Sequence, residues 1–298
     1  MTSKAMHAKR LVLFLLIAFG LTWIPEIIAN KTLGYENWFN TNKYMLVALL
    51  ILYAPALANL ITRALTKEGF RDMLLHLRLK GHIKYYVIAW LFPVVCGFCE
   101  VILMNSFVGH WDWAEISANY PLKTYIGMSL NILATAPLMA FNTFGEEFGW
   151  RAYMNQHMEP LLGTAGTCIV GGILWGVWHA PLTVEGHNFG KDYWGYPYVG
   201  ILIMSLLCTF EGMVLMWLTK KTGSVYPAAI LHAVNNFGGP AIGQMLMSGI
   251  GDQAEFDFGP KYYFLTMIPT VIAGIICLIL MLRENKQKAP QKAAAEQL

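Results

Sequence analysis

Charged residues in this chain gather in short clusters, and the intervals between clusters are apolar runs of about 18 or more residues, long enough for a helix to span a bilayer. Eight segments qualify: Leu11–Ile28, Met45–Ala64, Tyr85–Phe107, Tyr125–Phe148, Thr164–Val184, Tyr198–Leu218, Val225–Met247 and Tyr262–Leu282. Pro137 interrupts the fourth and Pro240 the seventh, breaks that a bundle tolerates because neighbouring helices satisfy the freed carbonyls. The expected fold is therefore all-α, a polytopic membrane bundle of about eight helices with an interior cavity. One embedded domain over residues 11–282 lies between tails at 1–10 and 283–298, and no internal repeat is visible.

Composition agrees. Of 298 residues 56% are hydrophobic and 13% charged, against roughly a quarter charged in soluble domains. A net charge of only +3 leaves no broad basic face for nucleic acid. Five cysteines, Cys96, Cys99, Cys168, Cys208 and Cys277, all lie in apolar segments. They read as packing residues, the Cys96-x-x-Cys99 pair included, because hydrocarbon opposes the thiolate that redox chemistry needs.

Lys4, Lys9 and Arg10 before an apolar run also describe a signal peptide. Trp23, Pro25 and Glu26 close that run in place of small residues, so it is expected to be a true span. Basic residues collect in the N-terminal tail, in the second loop (Arg63, Lys67, Arg71, Arg78, Lys80, Lys84), at Lys220 and Lys221, and after Arg283. The opposite loops carry Asp112, Glu115, Asp192, Asp252, Glu255 and Asp257. The positive-inside rule then places both termini in the cytoplasm of a multi-pass protein of the cell membrane. The tail after Arg283 is expected to be disordered or frayed helix, and the basic second loop hints at anionic headgroups nearby.

Ionisable groups at membrane depth are costly, about 2.5–3.5 kcal/mol at a helix centre on insertion scales. Candidates are Glu26, Glu100, Glu146, Glu147, Arg151, His179, Glu211 and His232. Neighbouring helical residues lie about 100° apart, so Glu146 and Glu147 cannot point at one spot. Glu147 can pair with Arg151 at i+4, leaving Glu146 free. His179 follows an aromatic stretch, Trp175-Gly176-Val177-Trp178, and His232 shares a helical face with Asn236. Interfacial anchoring or one interhelix hydrogen bond explains any single cluster, but less well three clusters on three spans. Together they form a hydrolytic kit. A buried carboxylate can take a proton from water, while histidine and asparagine orient that water or donate to an oxyanion. Alternatively Glu146, His179 and His232 are a zinc set with its fourth position open to water. Both routes stay open.

Glu146-Glu147-x-x-x-Arg151, Trp175-x-x-x-His179 and His232-x-x-x-Asn236, with Thr222-Gly223-Ser224-Val225-Tyr226-Pro227 leading into the last, resemble successive motifs of the CPBP family. That family contains the type II CAAX prenyl endopeptidases and the bacterial Abi proteins. The resemblance covers roughly residues 125–240; Trp175 stands where the family usually carries Phe and is expected to wall the cavity. It implies eight helices and an endopeptidase acting on a membrane-associated peptide or lipidated protein in the bilayer. Glu146 and His179 would activate water, and His232 and Asn236 would stabilise the oxyanion or add metal ligands. Glu147 and Arg151 would support the site. A glutamate-type mechanism needs only a water partner, whereas zinc would want tightly held supporting partners that the sequence does not assign.

Other signals are set aside. Gly249-Ile250-Gly251-Asp252 resembles an aspartyl-protease motif, but no second aspartate lies in a span. No H-E-x-x-H or G-x-S-x-G is present. His157 and His187 are expected in solvated loops, Glu211 in support of the site, and Gly172-x-x-x-Gly176 at a close helix contact beside His179. The competing readings are a non-catalytic immunity or scaffolding factor and, with Glu100 and Glu211 in an ion path, a transporter.

Overall fold

A computed structural model describes residues 3–39, 42–107, 114, 118, 121–238 and 260–295. Every regular element among them is helical, as backbone polar groups in lipid require. Helix α1 (Lys4–Leu33) begins on Ser3, whose hydroxyl caps the Met6 amide at 3.3 Å. Residues 4–10, expected as a tail, are thus its first turns. A short α2 (Tyr35–Phe39) follows. The second expected span is a bent pair, α3 (Met45–Leu52) and α4 (Ala54–Leu65), meeting at 54°. Pro55, in the first turn of α4, has no N–H to continue the ladder from α3. Helix α5 is Ile83–Phe107.

The fourth and fifth expected spans form one continuous run of 57 residues, Leu122–Trp178. Its elements are α6 (Leu122–Thr135), a tight 3-10 turn at Ala136–Met139 holding Pro137, α7 (Ala140–Gly149), a wide π-turn at Trp150–Met154, and α8 (Asn155–Trp178). At about 1.5 Å per residue the run is far longer than one bilayer. The chain redirects at Gly163, whose φ of 68° and ψ of 176° lie outside the helical region, one residue before the expected start at Thr164. After α9 (Ala180–Val184) come α10 (Tyr198–Thr222), α11 (Tyr226–Phe237), α12 (Pro260–Thr266) and α13 (Ile268–Ala295). Residues 283–295, expected as a disordered or frayed tail, continue α13.

Five of these helical runs are long and apolar enough to cross a membrane, or six with the bent pair; the chain is an integral membrane protein. The expected eight counted the two passes of the long run separately. It also counted a seventh span, of which α11 is the described part. Pro240, Asp112, Glu115, Asp252, Glu255, Asp257 and the Gly249–Asp252 motif lie outside the described residues.

Two glycine ridges draw the bundle together. A Cβ at Gly172 or Gly176 of α8 would collide with Thr209 or Ser205 of α10, as the small-xxx-small spacing predicts. On the other side, a Cβ at Gly145 of α7 would stand 2.7 Å from the Leu52 carbonyl oxygen, and one at Gly149 would meet Pro55. Both glycines seat α7 on the α3–α4 break. Between these ridges lies an aromatic core of Phe14, Trp150, Tyr153, Trp175 and Trp178. Leu16, Leu46, Ile102 and Leu130 face outward, the side that lipid covers. The five cysteines are free thiols.

Candidate active site

The two carboxylates of α7 diverge as helical geometry demands. Glu146 Oε2 accepts the indole N–H of Trp175 at 2.7 Å and lies 3.9 Å from His179 Nε2. Glu147 turns the other way, to Arg151 Nε at 3.2 Å and His232 Nδ1 at 2.9 Å. Both glutamates and Arg151 are buried. Thr143, one turn before Glu147, donates to the Ala229 carbonyl at 2.7 Å, which sets the register of α7 against α11 and brings Glu147 to His232.

Hydrogen-bond chemistry assigns the imidazole faces. His179 caps the C-terminus of α8, and its Nδ1 is 2.9 Å from the Trp175 carbonyl oxygen. A carbonyl only accepts, so Nδ1 carries the proton and the Nε2 lone pair faces Glu146. At 3.9 Å these two groups do not bond directly, but one water can bond to both. For His232 the Glu147 carboxylate is the acceptor, so Nδ1 donates and Nε2 is left for the cavity side. Arg151, bound to Glu147, also stacks on the Trp175 ring at 4.2 Å, and that ring meets His232 edge-on at 5.2 Å. The indole therefore meets four of the cluster's five ionisable groups, all but Glu147. Sequence reading made Trp175 a wall; it is also a hydrogen-bond donor to Glu146, a role phenylalanine cannot fill.

The site draws on helices that lack its motifs. On α1, Thr22 accepts the Trp178 indole N–H at 2.8 Å, and Trp23 donates to the Trp178 carbonyl at 2.9 Å. Both bonds fix the residue before His179. Glu26, one turn further, is 1% exposed and within electrostatic reach of Glu146. The polar pair Thr22-x-x-x-Glu26 inside an apolar run was the available signal. On α10, Glu211 accepts the Asn235 amide at 3.3 Å, consistent with a supporting role. Asn236, the expected partner of His232, is exposed. Glu100 on α5 is half-buried and joins none of these groups by a hydrogen bond or ion pair among the described residues.

The histidines expected in solvated loops behave otherwise. His157 is buried within α8, because the π-turn and the residues after it stay helical up to Leu162; it contacts His7 at 2.9 Å and Glu68 at 3.1 Å. His187 is in a loop but half-buried, 2.7 Å from the Tyr35 hydroxyl.

The zinc alternative requires three donors converging on one point. Among the described residues no three His, Cys, Asp or Glu side chains are so placed. The donor set present does not fit a zinc ion, whereas the Glu146–His179 gap suits a water.

A protein-family profile described as type II CAAX prenyl endopeptidase Rce1-like matches residues 128–238, the stretch that carries all three motifs. The chain is also 26% identical over 226 residues to CAAX prenyl protease 2 of Methanococcus maripaludis, an alignment covering 73% of this chain and 81% of the relative. That alignment reaches well beyond the matched motifs. With its motifs in order and its helical bundle gathering them, the chain is similar over this stretch to the type II CAAX prenyl endopeptidases of the CPBP family of intramembrane proteases.

Proposed function

We propose that the chain hydrolyses a peptide bond near the lipidated end of a membrane-associated substrate, with Glu146 and His179 activating the attacking water. The observation that carries this reading is the 3.9 Å gap between Glu146 Oε2 and the unprotonated Nε2 of His179. Glu146, held by Trp175, takes the proton as the water attacks the carbonyl carbon. The proton then passes to the departing amine. His232, carrying a proton on each ring nitrogen, gives one to Glu147 as a hydrogen bond and donates from Nε2 to the oxyanion, and Asn236 joins it once substrate covers that face of α11. Glu147 and Arg151 act as supports whose charges balance each other.

The relative's name supports a prenylated substrate, and a site between membrane helices suits a peptide held in the bilayer by its lipid. The test is incubation of the full chain in lipid nanodiscs with a farnesylated C-terminal peptide and its unmodified twin, with products read by mass spectrometry. Release of the terminal tripeptide from the farnesylated form alone is expected. Equal cleavage of both would remove the lipid from the specificity. Cleavage of neither, alongside Glu146-dependent cleavage of a transmembrane peptide, would move the substrate class.

A further inference from the structure

Residues 66–82, between α4 and α5, form neither helix nor strand, yet they are fastened along their length. Glu68 sits in a clamp. Its carboxylate accepts the Tyr153 hydroxyl at 3.0 Å and lies 3.1, 3.4 and 3.7 Å from His157, Arg10 and Arg63. Arg63 also donates to the carbonyls of Gly69 and Asp72, each at 3.0 Å. The Leu74 carbonyl accepts the backbone N–H of Val225 at 3.0 Å, and the Leu77 carbonyl accepts the Tyr86 hydroxyl. Lys67, Leu74 and Arg78 hold φ values of 52°, 56° and 45°, a left-handed conformation that such residues keep only where their surroundings impose it. The segment is a fixed strap.

What the strap presents outward does not suit water. Phe70 is 54% exposed, Leu77 53%, Leu79 48% and Leu75 38%. Exposed Lys67 precedes this apolar strip, exposed Arg71 interrupts it after Phe70, and exposed Lys80 and Lys84 follow it. Of the two acids in the segment, Glu68 is already matched by the clamp. The strap joins one member of the bent pair to a spanning helix, so it lies where lipid headgroups meet acyl chains.

We propose that residues 70–80 are a docking strap for an anionic bilayer surface, with Phe70 and the three leucines entering the headgroup boundary and Lys67, Arg71, Lys80 and Lys84 taking lipid phosphates. Apolar side chains bracketed by cations are the composition that binds such an interface. Two of the fastenings lead inward. Tyr153 belongs to the π-turn that carries Arg151, and Val225 immediately precedes α11, which carries His232. Docking is therefore coupled to the site; this coupling, unlike the docking itself, rests on the peptidase reading.

Hydrogen–deuterium exchange of the full chain separates these claims. Nanodiscs of phosphatidylcholine are compared with discs containing one part in three of phosphatidylglycerol. Amides of residues 70–80 are expected to exchange at least about fivefold more slowly in the anionic discs. R71Q/K80Q and L75S/L77S/L79S should each abolish the difference while leaving α10 exchange unchanged as the folding control. Equal exchange in the two lipids overturns the proposal. So does protection produced by inorganic phosphate in phosphatidylcholine discs, or only by an added acidic peptide. Turnover measured in the same discs should rise with anionic lipid in wild type and not in R71Q/K80Q. If the chain cleaves nothing while strap protection persists, the peptidase reading fails and the docking stands.

Discussion

The indole N–H of Trp175 donates to Glu146 Oε2 at 2.7 Å across two helices, so the carboxylate assigned to water activation is held by a side chain from the segment that carries His179. Because Trp175 and His179 are one turn apart on α8, any shift of that helix moves the donor to Glu146 and the imidazole facing it together. The geometry of the pair is thereby tied to the packing of α8.

Trp175→Phe removes this hydrogen bond and keeps an aromatic ring against Arg151 and His232. A hydrogen bond to a charged group contributes about 1.5–3 kcal/mol, so kcat should fall by about tenfold or more, with KM little changed. Steady-state kinetics check this, and an unchanged kcat would make Trp175 only a wall.

Gly176→Ala should drive α8 away from α10, because its Cβ would lie 2.9 Å from Ser205 Oγ and closer still to the Ser205 backbone. Overpacking of this kind costs about 1–3 kcal/mol. Thermal unfolding in detergent should show the loss, and turnover should fall with it. Gly20, whose Cβ would meet nothing within 4 Å, is the control position at which Ala is neutral.

Arg151→Met leaves buried Glu147 with His232 as its remaining partner, so the cost should fall below the roughly 3–5 kcal/mol of a fully unpaired buried charge. The double variant Glu147→Gln/Arg151→Met should be less damaging to stability than Arg151→Met alone, though equally inactive. A double-mutant cycle read by unfolding measures the coupling; additive losses would show that the 3.2 Å pair contributes nothing.

Of the fold, the helical class, the break at Pro137 and the turn before Thr164 were legible, because apolar length, proline and glycine act locally. The Glu147–Arg151 pair was legible for the same reason: its i, i+4 spacing is a property of one helix. Trp175 was not, since its meeting with Glu146 depends on how α7 and α8 are rotated against each other. The same holds for Asn235, which reaches Glu211 while its neighbour Asn236 faces outward. His157 was misplaced because it falls between the expected spans ending at Phe148 and starting at Thr164, whereas the π-turn at Trp150–Met154 lets the helix continue. Thr22 and Glu26 marked a polar face on α1, but only tertiary packing reveals that Thr22 and Trp23 bond Trp178.

Burial holds His187 below its ordinary pKa of 6.5. Such a histidine takes up a proton more readily unfolded than folded, so it has no effect on stability well above 6.5 and destabilises as the pH falls through that value. Contact with Tyr35 at 2.7 Å places the effect at α2. Amide exchange of residues 35–39 should accelerate between pH 7.5 and 5.5 beyond the intrinsic trend, and His187→Gln should flatten the response.

The most direct test of the central claim is turnover of a quenched fluorescent lipidated peptide by the purified chain, comparing wild type, Glu146→Gln and His179→Ala, each with and without a zinc chelator. The account predicts that either substitution lowers kcat by about a hundredfold or more, and that wild-type cleavage survives chelation. Cleavage intact in Glu146→Gln, or wild-type cleavage abolished by the chelator and restored by zinc, would contradict it.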